Sequence, residues 1–152
     1  MTKGQHAPIL IVEDSPEDYQ ILLRAFKAVG MRNPLFRCED GDQTLDYLFH
    51  RGVYKDKRPF PRPAVILIDL NLPGMGSAEV LAAIKKSPKL RIIPAIVLTT
   101  SRSRKDIEQA YALGAAGYIC KPIKPGLLVA AIQNLSAYWF ETVELPKEAQ
   151  GV

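Results

Sequence analysis

The stretch that decides the fold is AVILIDLNLPG, residues 64–74. Ala64 to Ile68 form an unbroken apolar run, the pattern of a short strand buried on both faces of a parallel sheet. The run ends on Asp69, followed by Leu70, Asn71, Leu72 and a Pro-Gly turn. An aspartate can simply open a turn, because its side chain bonds its own backbone. A functional carboxylate would be accompanied at the same place by other strand-end acids and a cation.

Working outward, the chain alternates short apolar runs with helical patterns. PILIVED (8–14) is a strand ending in acids. SPEDYQILLRAFKAVG (15–30) is a helix, with Ser15 as its cap, Pro16 at its first position and Gly30 at its end. Tyr19, Leu22, Leu23, Phe26 and Val29 fall on one helical stripe. LFRCED is a strand in which Phe36 and Cys38 face away from Arg37 and Glu39. GDQTLDYLFHRG is a helix turning Leu45, Leu48 and Phe49 inward. VYKDKRPFPRP interrupts regular structure with prolines. After the AVILID strand come the helix SAEVLAAIKKS, with Val80, Leu81 and Ile84 inward, and the strand PAIVLTTS. The helix RKDIEQAYALG, the strand GYICKP and the helix PGLLVAAIQNLSAYWFETV complete the alternation.

Five strands alternating with five helices predict an α/β, doubly wound parallel sheet with helices on both faces. In such sheets ligands sit beyond the C-terminal ends of the strands. There the strands carry Glu13 and Asp14, then Asp69, then Thr99, then Lys121. Three carboxylates converging at one edge repel unless a cation joins them. Hard oxygen donors that leave room for water suit Mg²⁺.

The remaining composition narrows the function classes. A chain of 152 residues suffices for one ordinary domain burying about two-thirds of its unfolded surface. No apolar run reaches the roughly 18–20 residues of a membrane span, and MTKGQHAP lacks the apolar core of a signal peptide, so a cytoplasmic protein without membrane contact is expected. The formal charge of +4 gathers around Arg51, Lys55, Lys57, Arg58 and Arg62. No DNA-binding pattern surrounds that segment, which reads as a solvated loop, and no nucleic-acid partner is expected.

The motifs ED at 13–14, DLNLP at 69–73, LTT at 98–100 and GYICKP at 117–122 together resemble the receiver domain of two-component response regulators. The insertion RGVYKDKRPFPRP and the ending AYWFETVELP are most like the single-domain regulators paired with phytochrome-type histidine kinases. The resemblance implies a flavodoxin-like receiver fold, with strand order 2-1-3-4-5, over residues 8–135. A flexible segment would precede it at 1–7, and an extension of the last helix with a tail would follow at 136–152. It also implies that Asp69 accepts a phosphoryl group from a kinase phosphohistidine, that Lys121 pairs with a phosphoryl oxygen, and that Thr99 donates to another. Mg²⁺ would be held by Asp14, Asp69 and the backbone carbonyl of Asn71, with Glu13 acting through water. Tyr118 would be the rotamer switch that follows Thr99. His6 and His50 are poor phosphodonors, His50 standing at a helix end where it can cap the dipole.

Where most receivers continue with Asp-Gly, this chain has Gly76 and Ser77, and Ser77 is expected to cap the third helix. The Lys121-Pro122 bond is expected to be cis, as in the family. With the implied strand order, Cys38 and Cys120 lie on opposite sheet edges, about 19 Å apart, and remain free thiols. In the last helix Leu128, Ala131, Ile132, Leu135 and Trp139 should face the sheet. Tyr138, Phe140 and Val143 then fall off that stripe and suggest a homodimer built from the C-terminal helix region. Two other functions fit parts of the pattern. A pseudo-receiver adaptor would keep the fold without phosphorylation, and an aspartate-nucleophile phosphatase would need a second acid where Asn71 stands.

Overall fold

The computed structural model describes residues 4, 6–122 and 124–146. Its strands are β1 (Ile9–Val12), β2 (Leu35–Cys38), β3 (Val65–Ile68), β4 (Ala95–Thr99) and β5 (Gly117–Cys120). They form one parallel sheet in the order β2-β1-β3-β4-β5, as the resemblance implies. The helices are α1 (Pro16–Ala28), α2 (Gly41–Leu48), α3 (Ser77–Lys86), α4 (Arg104–Ala112) and α5 (Pro125–Ser136).

The continuous apolar runs are explained by burial on both faces. Side chains alternate along a strand, so β1 sends Leu10 and Val12 one way and Ile9 and Ile11 the other. Leu10, Val12, Ile66, Ile68 and Val97 pack with α2 and α3 through Tyr47, Leu48, Val80, Leu81 and Ile84. Ile9, Ile11, Val65, Leu67 and Ile96 pack on the opposite face with Leu22 and Phe26 of α1 and Leu128, Ile132 and Leu135 of α5. Each such side chain, fully buried, contributes about 1.5–3 kcal/mol.

The helix starts explain the local order. Ser15 Oγ accepts from Asp18 N, Asp40 Oδ1 from Gln43 N, and Ser103 Oγ from Asp106 N. Gly30, at φ 74°, provides the left-handed residue that ends α1.

Several expectations need correction. On α2 the buried set is Thr44, Tyr47 and Leu48, spaced three and four apart, whereas Phe49 is 42% exposed. Phe49 stands at the C-cap, where its ring lies 5.0 Å from the Arg51 guanidinium. Ser77 does not cap α3. Gly76 is the cap residue without a side-chain bond, and the Ser77 hydroxyl turns inward to donate to the Leu70 carbonyl at 3.1 Å. His50 takes a left-handed backbone, φ 53°, and its Nε2 lies 3.0 Å from the Phe60 carbonyl rather than over the carbonyl end of α2.

The loop between α2 and β3 contains a 3₁₀ turn, Gly52–Tyr54. Its charged residues are largely solvated, as expected, but Tyr54 and Phe60 pack with Tyr47 at ring separations of 5.2 and 5.9 Å and with each other at 4.8 Å. The Tyr47 hydroxyl donates to the Pro61 carbonyl at 2.8 Å.

At the C-terminus, α5 runs into a π-helical turn, Ala137–Thr142. A π-turn carries more residues per turn than an α-helix, so the inward position after Leu135 falls one residue later. Phe140 is therefore only 2% exposed and packs in the α1–α5 core, while Trp139 is half-buried and Tyr138 is 52% exposed. Phe140 is not available at the surface for a dimer. Of the segment expected to be flexible, residues 1–3 and 5 lie outside the described residues, but the Gly4 and Ala7 carbonyls accept from Asn33 Nδ2 at 2.8 and 2.9 Å. Residues 147–152 of the tail also lie outside them. Cys38 and Cys120 are free thiols on opposite edge strands, and burial pushes the Cys38 thiol up to about 12.

Candidate phosphoacceptor site

Register brings the strand-end residues together. Val12 pairs with Ile68, so Glu13 and Asp69 follow side by side on the two central strands. Ile68 pairs with Val97, and Thr99 with Cys120, which places Thr99 and Lys121 at the same edge. Asp69 therefore stands among the other strand-end polar groups.

Asp69 is almost fully buried, and both of its carboxylate oxygens are hydrogen-bonded. Its Oδ1 accepts from the Asn71 amide at 2.9 Å and from the Thr99 hydroxyl at 3.3 Å, and its Oδ2 accepts from Lys121 Nζ at 2.6 Å. The same ammonium donates to Glu13 Oε1 at 2.6 Å, and Glu13 Oε2 accepts from the Ser15 amide at 3.3 Å. One cation thus bridges two buried carboxylates.

The electrostatics follow from that sharing. Burial acts most strongly on Asp69 and by itself would raise its pKa, but the Asn71 amide and the Lys121 ammonium hold the carboxyl below the ordinary range. For Glu13, burial prevails and the pKa is raised despite Lys121. Burial disfavours the charged lysine, yet its bonds to Asp69 and Glu13 lift Lys121 above the ordinary value. Held below that range, the Asp69 carboxyl is ionised at neutral pH.

Asp14, the residue after Glu13, is exposed and has no ion pair among the described residues. With Glu13, Asp14 and Asp69 against one ammonium, the edge carries surplus negative charge. No three acidic, histidine or cysteine side chains form a metal cage among the described residues. The acids that follow β1 and β3 offer oxygen donors only, the chemistry a hard, hydrated ion such as Mg²⁺ takes.

Lys121 reaches the site without the expected cis bond. There are no cis peptides among the described residues, and the trans form is the cheaper one for most X-Pro bonds. The backbone is fixed by the Lys121 amide, which donates to the Thr99 carbonyl at 2.6 Å, and the long side chain covers the remaining distance.

Behind Thr99 lies a network the sequence did not show. The Ser101 amide donates to Thr99 Oγ1 at 3.5 Å, its hydroxyl to Asp106 Oδ2 at 2.5 Å, and its carbonyl accepts from the Tyr118 hydroxyl at 2.9 Å. Tyr118 is half-buried and packs against the α2–α3 side of the core. Serine 101 follows a strand and precedes a capped helix, a position any loop serine could occupy, so nothing in its neighbours marks it.

The chain resembles known proteins along most of its length. Residues 9–133 match the response regulator receiver domain. Response regulator Rcp1 of Synechocystis sp. is 38% identical over 138 residues, covering 91% of this chain and 92% of that protein. The crystal structure of the Mn²⁺-bound form of Rcp1 superposes with a TM-score of 0.83 at 37% identity, covering 93% of this chain and 99% of the other. A response regulator in red light signaling of R. palustris gives 0.89, and the phosphorylated cyanobacterial phytochrome response regulator RcpA gives 0.86. Both are 34% identical and cover 93% of this chain and 99% of theirs. Asp69, Lys121 and Thr99 meet in a fold shared along nearly the whole length of these proteins, and the chain belongs to the response regulator receiver domain family.

Proposed function

We propose that this protein is a phosphorylation switch in which Asp69 accepts a phosphoryl group from the phosphohistidine of a phytochrome-type sensor kinase and signals through protein contacts. The observation that carries the proposal is the buried, ionised Asp69 carboxylate, held by Asn71 N, Thr99 Oγ1 and Lys121 Nζ. A carboxylate already ionised needs no general base. In the transfer an Asp69 oxygen forms the new O–P bond, the N–P bond of the phosphohistidine breaks, and its electron pair stays on the imidazole, which takes up a proton from solvent.

Positioning and charge compensation supply the catalysis in such a transfer. Lys121, freed from one carboxylate oxygen, pairs with a phosphoryl oxygen. Thr99 Oγ1 stands on the opposite carboxylate oxygen and turns its proton to the incoming group. Asp14, Asp69 and the Asn71 carbonyl would hold Mg²⁺ directly and Glu13 through water, and the bound ion would neutralise phosphoryl oxygens as charge moves. An apolar groove of about 580 Å³ between α1 and α5, lined by Ile21, Leu22, Ala25, Pro122, Leu128 and Val129, opens onto Lys121 and offers a seat for the kinase helix that presents the histidine.

The phytochrome pairing is supported by the relatives, whose names or descriptions place them in phytochrome or red light signalling. The reading also takes the protein as a cytoplasmic non-enzyme, and as a homodimer through the exposed Tyr138 and the neighbouring Val143. Loss of the Thr99–Asp69 bond on phosphorylation would be felt at Tyr118 through Ser101, making the ring the switch element.

The test is intact-mass analysis after incubation with Mg²⁺ and acetyl phosphate. One phosphoryl group is expected on the wild type and none on Asp69→Asn. Undiminished labelling of the variant, or labelling in excess chelator, overturns the assignment, and a wild type that takes no phosphoryl group leaves the adaptor reading. Light scattering of the full chain against a chain ending at Ser136 tests the dimer, which a monomeric full chain would refute.

A further inference from the structure

The two acids that follow β1 depend on a residue of the edge strand β2. Arg37 is paired in register with Ile11, two residues before Glu13. Its Nε donates to the Glu13 carbonyl at 3.0 Å and one terminal nitrogen donates to the Asp14 carbonyl at 3.2 Å. The other terminal nitrogen is 3.5 Å from Glu39 Oε1, and the guanidinium carbon lies 4.8 Å from the centre of the Tyr19 ring on α1. The planar fork is thus fixed on three sides, by β2, by α1 and by the turn it grips. Its side chain is 21% exposed, so these bonds are partly shielded from water.

The consequence falls on Asp14. Asp14 is exposed and no ion pair holds its carboxylate among the described residues, so where that carboxylate is presented depends on the backbone turn that carries it. That backbone is held on one side by the Glu13 amide, which donates to the Cys38 carbonyl at 3.0 Å, and by the capping turn at Ser15. The carbonyls of residues 13 and 14 are held by Arg37. Lysine could not replace it, since an ammonium is a point donor without the fork that spans two successive carbonyls.

We infer that Arg37 is a positioning residue for the divalent cation site, acting by clamping the Glu13 and Asp14 carbonyls so that the Asp14 carboxylate is preorganised for the ion. This rests on the phosphoacceptor reading above. The role is separable from a charge effect because the two have opposite signs. A guanidinium near a cation site repels the cation, so removing only its charge would tighten metal binding. Removing a clamp loosens it.

The experiment is isothermal titration calorimetry of the full chain with Mg²⁺, for wild type, Arg37→Gln and Arg37→Lys, together with thermal melts in chelator. Both variants are expected to bind Mg²⁺ about tenfold more weakly, the usual scale for loss of a group that orients a metal ligand. Phosphoryl uptake from acetyl phosphate should fall at limiting Mg²⁺ and return toward the wild-type rate at saturating Mg²⁺, because Asp69 itself is untouched. Tyr19→Leu, which removes only the ring beneath the guanidinium, should weaken Mg²⁺ in the same direction by less. The inference is overturned if Arg37→Gln binds Mg²⁺ as tightly as wild type or more tightly, or if Arg37→Lys is unchanged. It is also overturned if the variants lose melting temperature with no change in Mg²⁺ affinity. Should Arg37→Gln fail to fold, Arg37→Lys decides. A wild type that binds no Mg²⁺ and takes no phosphoryl group refutes the phosphoacceptor reading instead, and the two failures are told apart by that control.

Discussion

Replacing Lys121 with methionine keeps much of the side chain's length and removes the one charge that Glu13 and Asp69 share. Nζ lies 2.6 Å from an oxygen of each carboxylate, and the three side chains are 16%, 4% and 8% exposed. Those two oxygens therefore stand no more than about 5 Å apart, and two unit charges at that distance repel by about 3 kcal/mol at an effective dielectric of about 20. The expected loss of stability at pH 7 in chelator is about 3 kcal/mol, in the range found when one partner of a buried ion pair is deleted. Urea unfolding monitored by far-UV circular dichroism measures it.

The pH dependence gives the mechanism a sign. In the wild type, Asp69 is held below its ordinary pKa of 3.8, so its contribution is present above that value and is lost as pH falls through the folded one. Lys121 is lifted above 10.5, so its contribution is present below that pH and is lost as pH rises through the folded value. Glu13 is raised above 4.5 and favours folding only where it can hold a proton. Removing the ammonium lifts Glu13 further, so the deficit of Lys121→Met should shrink as pH falls below 7 and Glu13 takes a proton, which removes the repulsion. Millimolar Mg²⁺ at pH 7 should restore part of the deficit. A variant as stable as wild type at pH 7, or a deficit independent of pH below 7, would show that the ammonium does not compensate these carboxylates.

The remaining predictions concern parts of the fold that carry the site. Phe140→Ala should cost about 3–5 kcal/mol in urea unfolding, since the ring is in the core, whereas Tyr138→Ala should cost no more than about 0.5 kcal/mol in the monomer. Equal effects would contradict the π-turn register. Tyr47→Phe removes the buried hydroxyl bond to Pro61 and leaves a carbonyl unsatisfied, so about 1–3 kcal/mol should be lost in the same assay. Gly41→Ala would place a methyl group 2.8 Å from the Met75 carbonyl, in the loop that follows Asn71, and should lower both the melting temperature and the rate of phosphoryl uptake. An unchanged rate would separate that loop from the site.

The legible parts of this molecule are those fixed by local chemistry repeated along the chain. The strand AVILI could be read because burial on both faces removes the polar alternation that a half-exposed strand would show, and the polar residues at 13, 14, 69, 99 and 121 were conspicuous because each interrupts or ends such a run. Ser15 and Gly30 were legible because caps are settled within four residues of themselves. What escaped was set at a distance or by small changes of helical pitch. Phe49 and Tyr47 differ by two positions on one helix, and the choice between them is made by Phe60 and Pro61 folding back from the far end of the next loop. Phe140 has the same neighbours in sequence whether the last turn is α or π, and an advance of one residue in the inward position moves it from solvent into the core. Arg37 reads as facing away from Phe36 and Cys38, but that face is where the Glu13–Asp14 turn passes, and only the sheet order brings the guanidinium to those carbonyls. The acids of the site were therefore visible in the sequence as exceptions to an apolar pattern, while the groups that hold them in place obeyed the local pattern and became visible only once the strands were set side by side.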